Sequence, residues 1–456
     1  MFPFVGTEQM REGKEFPMVS IPVSGMALVI AIVLLCVLTF KGLHPIVVGI
    51  SSVVVLCLIN RLDLITGVFT TYMSGVAGYF QNNFLVFLVG TVLGKFYLES
   101  GAAESIATLL GKIFGPKRTL LAVFVMGFLL CYGGINSLVV AFAAYPIALQ
   151  MFKKANLPNQ FIPAIMCGGM WTFAMSMPFA PQIHNIIPMN YFGTSNGAAL
   201  VPGMACALAQ MLLVNGWCSF RVKKAVARGD HFRWPSNLPK EDDQAVKTNL
   251  PNPLLAIIPM ILVVIGFDLI KWRIEVAMLV AIISAILLFY RYLEGGVPKV
   301  VNCIGVGTTQ AVGAIIATAA IVGFGTVVKT TPFYSFVSER LAVASFHPYI
   351  LSFLAVNVCS AMLGSASGGL SLMLETMGEN LMAYASQGYS LEAIHRILSM
   401  GCTGLDTLPW NGTIVTVLDL TDLDYKTGFP DLFICCGLIP LLACAVVLVP
   451  LCMVMY

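Results

Sequence analysis

Charged side chains are scarce in this sequence: Asp, Glu, Lys and Arg make up only 10% of the 456 residues. Soluble domains carry about 25%. The net charge of +3 is small for this length, and the basic residues fall mostly in polar stretches rather than on one face. These features exclude a nucleic-acid partner. Hydrophobic residues reach 58% and the mean hydropathy is +0.88, so the composition predicts an integral membrane protein.

Paired cysteine motifs are also missing, although the chain has 13 cysteines. Most stand singly inside apolar runs, where they are typical of small buried or lipid-facing residues. No CxxC spacing with histidine partners occurs, so no metal site and no cofactor are expected. A membrane-embedded enzyme would need a polar dyad or a metal cluster, and none has convincing spacing. We therefore expect no catalytic residues.

Four apolar segments predict an all-α, polytopic fold. Residues 24–40, 44–60, 255–270 and 274–290 are nearly free of charge and roughly long enough to cross the ~30 Å hydrocarbon core. The longest hydrophilic stretch, 221–254, separates two comparable halves. The predicted organisation is an N-terminal segment 1–23, a first transporter repeat 24–220, a linker 221–254 and a second repeat 255–456.

The two halves share landmarks at one constant separation. Thr172-x3-Ser176-x-Pro178 and Thr403-x3-Thr407-x-Pro409 have the same spacing, and the offset between them is 231 residues. Two glycine-rich polar patches, at Gly133 and Gly364, keep the same offset. Matching interruptions in two halves indicate a duplicated transporter and point to its substrate site.

The basic excess of the linker 221–254 predicts that it is cytoplasmic. If the repeats are inverted, each crosses the membrane an odd number of times, and both termini lie outside. The number of crossings stays open, because hairpins that enter and leave on one side resemble short spans. The expected location is the cell (inner) membrane, with multiple passes and the lipid bilayer as surroundings.

Prolines interrupt the apolar segment 160–197 of the first half. Pro178, Pro181 and Pro188 each remove a backbone donor, so no continuous helix is expected there. Irregular backbone at membrane depth is tolerated where it lines an aqueous cavity. We predict that such a cavity is faced by four polar side chains: Ser176, Gln182, His184 and Asn185. The alternative is a proline-rich loop outside the membrane.

The second half carries an acidic counterpart, in which Asp406, Thr407 and Asn411 surround Pro409. An ionisable group inside a membrane segment is a candidate for ion coupling. Asp406 is therefore the first candidate for a proton relay, together with His184. The alternative role for Asp406 is to cap a half-helix by accepting backbone N–H bonds. His395, next to Arg396, is expected at a helix start near the interface.

Two glycine-rich patches predict hairpins, Gly133–Ser137 and Gly364–Ser371, and neither contains arginine or lysine. An anion could still bind there, because helix N-termini present free N–H groups and partial positive charge. The alternative is close packing of small residues. The candidate binding residues in these patches are Asn136, Ser137, Ser365, Ser367 and Gly368.

These residues carry a family resemblance that extends over nearly the whole chain beyond residue 24. The strings FLVFLVGTVLGKFYLESGAAESIA, YGGINSLVVAFAAYPIAL, PQIHNIIP, GSASGGL and GLDTLPWNGTI resemble the gluconate permease family of organic-acid:proton symporters. The resemblance implies a homodimer with a fixed scaffold, a moving transport domain, two re-entrant hairpins and an elevator motion.

The same resemblance implies site roles for residues inside the matching strings: Gln182, Asn185, Ser365, Ser367, Asp406, Thr407 and Asn411. The GSASGGL form resembles the branch for short hydroxy-acids such as 3-hydroxybutyrate more than the gluconate branch. His184 and Trp410 are expected to vary between members and to tune substrate choice.

The predicted function is secondary active import of a small carboxylate, a gluconate-like or short hydroxy-acid, by proton symport with alternating access. Sodium coupling is the first alternative, with backbone carbonyls of the unwound segments as ligands. A channel is a further alternative, which the matched interruptions disfavour because they suit alternating access better than an open pore.

Overall fold

The computed structural model describes residues 19–41, 43–132, 137–180, 182–236, 238, 249–270, 272–342 and 346–456. Within these ranges the regular structure is entirely helical. The first half contains α1 Ile21–Phe40, α2 Pro45–Asn60, α3 Met73–Glu99, α4 Ala102–Phe114, α5 Thr119–Tyr132, α6 Ser137–Lys154, α7 Ile162–Cys167, α8 Ile183–Phe192 and α9 Leu200–Ala227. The second half contains α10 Pro253–Val264, α11 Ile274–Phe289, α12 Gly296–Val328, α13 Pro332–Ala342, α14 Pro348–Leu363, α15 Ala366–Ala383, α16 Leu391–Gly401, α17 Gly412–Leu420 and the long α18 Tyr425–Met455.

The four predicted apolar segments are confirmed as the helices α1, α2, α10 and α11. Four helical stretches of the described chain are long and apolar enough to cross a membrane: Ile21–Leu38, Leu200–Ala227, Glu275–Tyr292 and Tyr425–Met455. Large apolar side chains on them stay exposed, such as Val33 at 54% and Val446 at 69%. Such apolar surfaces are stable against lipid and unfavourable in water.

Helices α3 and α12 form the most extensive helix pair in the structure. At their crossing, a side chain at Gly307 would place its Cβ 2.8 Å from the Cα of Val92, so only glycine fits. The hydroxyl of Thr91 donates to the Gly307 carbonyl at 2.8 Å. The long helices are therefore held backbone to backbone, as is common for membrane helices with small residues at the contact.

The predicted interruption of the first half is confirmed. After α7 the chain makes a π-helical turn, Gly168–Ala174, and the described residues between this turn and α8 form no helix. Phe179 takes a left-handed conformation with φ of +67° in this stretch. Pro188, in contrast, lies inside α8 and does not end it. The expectation that no continuous helix spans 160–197 is thus confirmed, and the break lies before α8 rather than at Pro188.

The second half repeats this arrangement. Helix α16 ends at Gly401, and the chain is irregular until Asn411 caps α17 through a 2.7 Å bond from the Thr413 N–H. Helices α14 and α15 form the predicted hairpin. Its turn is at Gly364, where φ is +57° and a Cβ would lie 2.8 Å from Trp410, so glycine is required.

The helices of the two halves follow the same order at nearly constant spacing. The first residues of α5, α6, α7 and α8 each precede those of α14, α15, α16 and α17 by 229 residues. The predicted linker 221–254 overlaps α9, which continues to Ala227, and α10, which begins at Pro253. Asn136 and Pro181 lie outside the described residues, as does 239–248 of the linker.

Candidate functional site

A cavity of about 250 Å³ lies where the hairpin α14–α15 meets both interrupted segments. The helices α3, α6, α8, α12 and α17 contribute the rest of its wall. Its lining residues are Tyr79, Val86, Phe87, Ser137, Leu138, Trp171, Met175, Gln182, Ile183, His184, Val322, Gly364, Ser365, Ala366, Ser367, Thr403, Asp406, Thr407, Asn411, Gly412 and Thr413. The cavity thus joins polar groups that stand more than 200 residues apart in the sequence.

Three helices begin at this cavity. Gln182 precedes α8, Ser365 caps α15 and Asn411 caps α17, and the first residues of all three helices line the wall. The first described residue of α6, Ser137, lines it too. Helix N-termini carry partial positive charge and spare N–H donors. Because the described lining includes no lysine or arginine, these termini are its main source of positive potential for an anion.

Asp406 supplies a carboxylate in the described lining of the cavity. Its Oδ1 lies 3.2 Å from the Thr407 hydroxyl, and its Oδ2 accepts from Asn411 Nδ2 at 3.3 Å. Asp406 therefore faces the cavity and holds the side chain of Asn411, which caps α17.

One hydroxyl from each interrupted segment donates a hydrogen bond to the same turn of α18. Thr172 donates to the carbonyl of Cys435 at 2.8 Å, and Thr407 donates to the carbonyl of Cys436 at 3.0 Å. Both carbonyls belong to the π-helical turn Ile434–Leu438. Each half is thus fastened to the same helix by a buried hydrogen bond.

Arg396 forms hydrogen bonds with the first interrupted segment and with the loop that follows α8. Its guanidinium donates to the Ala198, Asn196 and Ser176 carbonyls at 2.9, 2.9 and 2.6 Å, and to Asn185 Oδ1 at 2.6 Å. The Asn185 amide donates in turn to the carbonyl of Ala180 at 3.0 Å. These bonds satisfy backbone oxygens that the missing helix leaves unpaired.

The expected place of His395 at a helix start near the interface is wrong. His395 and Arg396 lie in the middle of α16, and both are fully buried. The Nδ1 of His395 lies 2.6 Å from the Thr194 hydroxyl. The sequence could not predict these contacts, because the partners of both side chains lie about 200 residues away in the chain.

Two ring nitrogens at the cavity make no hydrogen bond to the described residues. They are His184 Nδ1 and Trp171 Nε1, and both side chains are buried in the cavity wall. Buried polar atoms usually have a hydrogen-bond partner, so these two nitrogens mark the wall as a place where a ligand or water could supply one after a small side-chain movement. Trp171 was not predicted from the sequence, because it stands in an apolar run. Trp410 does not line the cavity, and its Nε1 donates to the carbonyl of Ala361 at 2.9 Å.

The cavity brings together eight of the twelve residues predicted from the sequence: Ser137, Gln182, His184, Ser365, Ser367, Asp406, Thr407 and Asn411. Ser176 and Asn185 are fully buried and lie outside the lining, in the network of Arg396. Gly368 donates its N–H to the Ser365 hydroxyl at 3.2 Å, within the cap of α15. Asn136 lies outside the described residues. No group of three potential metal ligands occurs in the part of the chain that the structure describes.

Taken together, the fold is that of a multi-helix membrane protein with an internal polar cavity between two broken helices. The family model "GntP family permease" matches residues 21–271, more than half of the chain. The chain belongs to the GntP family of permeases, and it is therefore a membrane transporter rather than an enzyme.

Individual relatives agree with this assignment. The chain is 31% identical to the "uncharacterized transporter YxjC" of Bacillus subtilis over 407 residues, which cover 79% of this chain and 84% of that protein. It is 26% identical to the high-affinity gluconate transporter of Escherichia coli over 59% of this chain and 63% of the relative. It is 25% identical to the gluconate permease of Zymomonas mobilis over 44% of each.

A solved structure, that of the Alcanivorax borkumensis YdaH transporter, aligns with 93% of this chain and 98% of its own. The TM-score is 0.35 and the identity 15%. A likeness this weak carries no argument about the fold.

Proposed function

We propose that this permease is a secondary active transporter that imports a small carboxylate together with protons. The observation that carries the proposal is the convergence of three helix N-termini and one carboxylate on a single cavity of about 250 Å³. The termini attract an anion, and Asp406 provides a group that binds the coupling ion.

The substrate carboxylate is placed on the N–H groups at the starts of α15 and α17. The hydroxyls of Ser137, Ser365 and Ser367 and the amide of Gln182 line the same space and suit a hydroxylated acid. The relatives named as gluconate carriers support this class of substrate. The size of the cavity suits gluconate or a short hydroxy-acid such as 3-hydroxybutyrate.

Coupling is assigned to Asp406 in its protonated form. A neutral Asp406 tolerates the substrate anion nearby, whereas an ionised one repels it, so the two bind in a linked manner. His184 borders the same space and offers a second group that can exchange protons. Sodium coupling is the second candidate, because irregular backbone beside Asp406 offers carbonyl ligands.

Alternating access is proposed to arise from two inverted repeats, supported by the constant 229-residue spacing of helices α5–α8 and α14–α17. In this scheme α3 and α12 belong to a scaffold that also mediates a homodimer, and the hairpins with the broken helices move as an elevator. The linker 221–254 is placed on the cytoplasmic side of the inner membrane.

The test is uptake of labelled gluconate and 3-hydroxybutyrate into proteoliposomes with an imposed pH gradient. Asp406→Asn and Asn411→Ala are expected to lower uptake at least about tenfold, since each removes a group at the cavity. Glu379→Gln is the matched control, because Glu379 is exposed and lies outside the cavity lining.

Folded Asp406→Asn and Asn411→Ala proteins that transport as fast as the parent would refute the proposed site. Uptake at fixed pH with and without sodium separates the two coupling ions. Saturable, concentrative uptake excludes a channel.

A further inference from the structure

A second cavity of about 160 Å³ lies beside the same helices as the first. We call it the vestibule. It is lined by Thr91, Gly94, Lys95, Leu98, Phe142, Tyr145, Pro146, Leu238, Gln310, Gly313, Thr416, Asp419 and Leu420. These residues come from α3, α6, α12 and α17, and Leu238 comes from the polar segment between the two halves.

Four helices line both cavities: on α12 the lining passes back from Val322 to Gly313, and on the other three helices it passes forward along the sequence. On α3 the lining passes from Phe87 to Lys95, on α6 from Leu138 to Tyr145, and on α17 from Gly412 to Asp419. At 1.5 Å per residue, each step measures roughly 10–12 Å along its helix. The steps on α3, α6 and α17 all run in the sequence direction. The vestibule is therefore displaced from the first cavity by about two helical turns.

An apolar cluster, which we call the partition, borders both cavities. It is a buried cluster of Phe87, Leu138, Phe142, Ala311 and Ile315. The rings of Phe87 and Phe142 meet edge to face with centroids 6.0 Å apart, and Phe87 borders the first cavity while Phe142 borders the vestibule. An anion cannot cross this cluster unless the two rings separate.

Lys95 gives the vestibule a positive charge that the first cavity lacks. Its side chain is only 7% exposed, and its Nζ lies 2.8 Å from Glu99 Oε1. Glu99 also binds Lys299, at 2.7 Å between Nζ and Oε2. One carboxylate is thus shared by two ammonium groups. An ammonium group has three protons, so Lys95 keeps donors for a further acceptor.

The other charge that faces the vestibule from the described residues is Asp419. It is exposed, so water screens it, whereas Lys95 is buried. The potential for an anion is therefore most favourable at the buried, Lys95 side of the vestibule. Lys95 and Phe87 lie on one face of α3, two helical turns apart.

We propose that the vestibule is a second, transient carboxylate site, in which Lys95 receives the substrate carboxylate when Phe87 and Phe142 separate. This inference rests on the proposed function. In the first cavity helix N-termini hold the anion, and on the far side of the aromatic partition one ammonium group holds it. The substrate carboxylate thus passes from the helix N-termini to the Lys95 ammonium group and stays beside a positive charge throughout.

The experiment compares three variants with the parent protein, using labelled gluconate and 3-hydroxybutyrate in proteoliposomes. Lys95→Met is expected to lower the uptake rate at least about tenfold, and Lys95→Arg is expected to stay within about threefold. Lys299→Met is the matched control, since Lys299 shares Glu99 but lies outside the vestibule lining. Substrate-induced shifts of Tm in detergent report binding at the first cavity and are expected to be unchanged in Lys95→Met.

Each outcome decides the matter. If the parent takes up neither compound, the result contradicts both the proposed function and this inference. If the parent and Lys95→Met transport equally fast, the result contradicts this inference and leaves the proposed function intact. Equal losses in Lys95→Met and Lys299→Met would show that the ion pairs with Glu99 are structural, and this also overturns the inference. Loss in Lys95→Met alone, with rescue by arginine, supports it.

Discussion

Replacing Arg396 with methionine should loosen the first interrupted segment while leaving most of the fold in place. The guanidinium is fully buried and donates to three carbonyls and to Asn185 Oδ1. Methionine fills much of the volume and supplies no donor. Three of the four acceptors then lose the partner they have among the described residues, whereas the Asn196 carbonyl keeps its hydrogen bond from the Phe179 N–H at 3.0 Å.

The expected cost follows from those acceptors. An unsatisfied buried acceptor costs roughly 1–3 kcal/mol, and part of this is offset because a buried charge is removed with the arginine. We expect a net loss of about 4 kcal/mol in the local free energy of unfolding of residues 175–199. Lysine at this position keeps the charge but has no planar fork, so Arg396→Lys should recover less than half of the loss.

Hydrogen exchange in detergent micelles measures this quantity directly. In Arg396→Met, the amides around residues 175–199 should exchange about a thousandfold faster than in the parent, since each 1.36 kcal/mol is a factor of about ten. Amides of α11, which is remote from the arginine, serve as the internal reference. Arg228→Met is the matched control, because Arg228 is exposed and pairs with Asp230 at the surface.

Unchanged exchange in this segment would refute the reasoning, since the irregular backbone would then be held by something other than Arg396. Equal acceleration in α11 would also contradict it. That result would mean that the arginine supports the whole fold and not one segment.

Two further changes test the contacts that hold the second half. Gly364→Ala should destabilise the α14–α15 hairpin by roughly 1–3 kcal/mol, because the new methyl group meets Trp410 at 2.8 Å in a left-handed backbone conformation; a lowered Tm in detergent checks it, and an unchanged Tm contradicts it. Asp431→Asn should cost roughly 2–4 kcal/mol, because Asp431 accepts from Arg221 at 2.7 and 3.0 Å and from Trp217 at 2.9 Å. Urea unfolding in mixed micelles should show an earlier transition, whereas an identical midpoint would mean that these bonds contribute nothing net.

The helical architecture was largely predictable from the sequence, because lipid imposes simple rules on it. Apolar runs without charge become helices, as α1, α2, α10 and α11 show. Prolines and glycines mark the interruptions, and the matched spacing in the two halves identifies which ones belong together. The exception is Pro188, which α8 accommodates in its interior.

The wall of the cavity was predictable where polar side chains stand out against apolar neighbours. Asp406, Asn411, Gln182 and Ser365 were found in this way, and all four line it. Trp171 was missed because an indole in an apolar run gives no signal. Asn185 gave the same signal as Gln182, yet it bonds the backbone behind the cavity. A polar residue type does not reveal which way its side chain points.

The sequence by itself determined that this is a membrane permease with two comparable halves and two broken helices, because the lack of charge, the breakers and their spacing are local properties. Only the tertiary structure decided which helix termini share one cavity, that Arg396 supports the first break, and that Lys95 lies beyond an aromatic partition. Those relations depend on packing between segments more than 200 residues apart; Ser176 and Arg396, for example, are separated by 220 residues. No local sequence pattern encodes them, because a buried charge such as that of Arg396 is stable only when the fold brings distant backbone oxygens into hydrogen-bond contact with it.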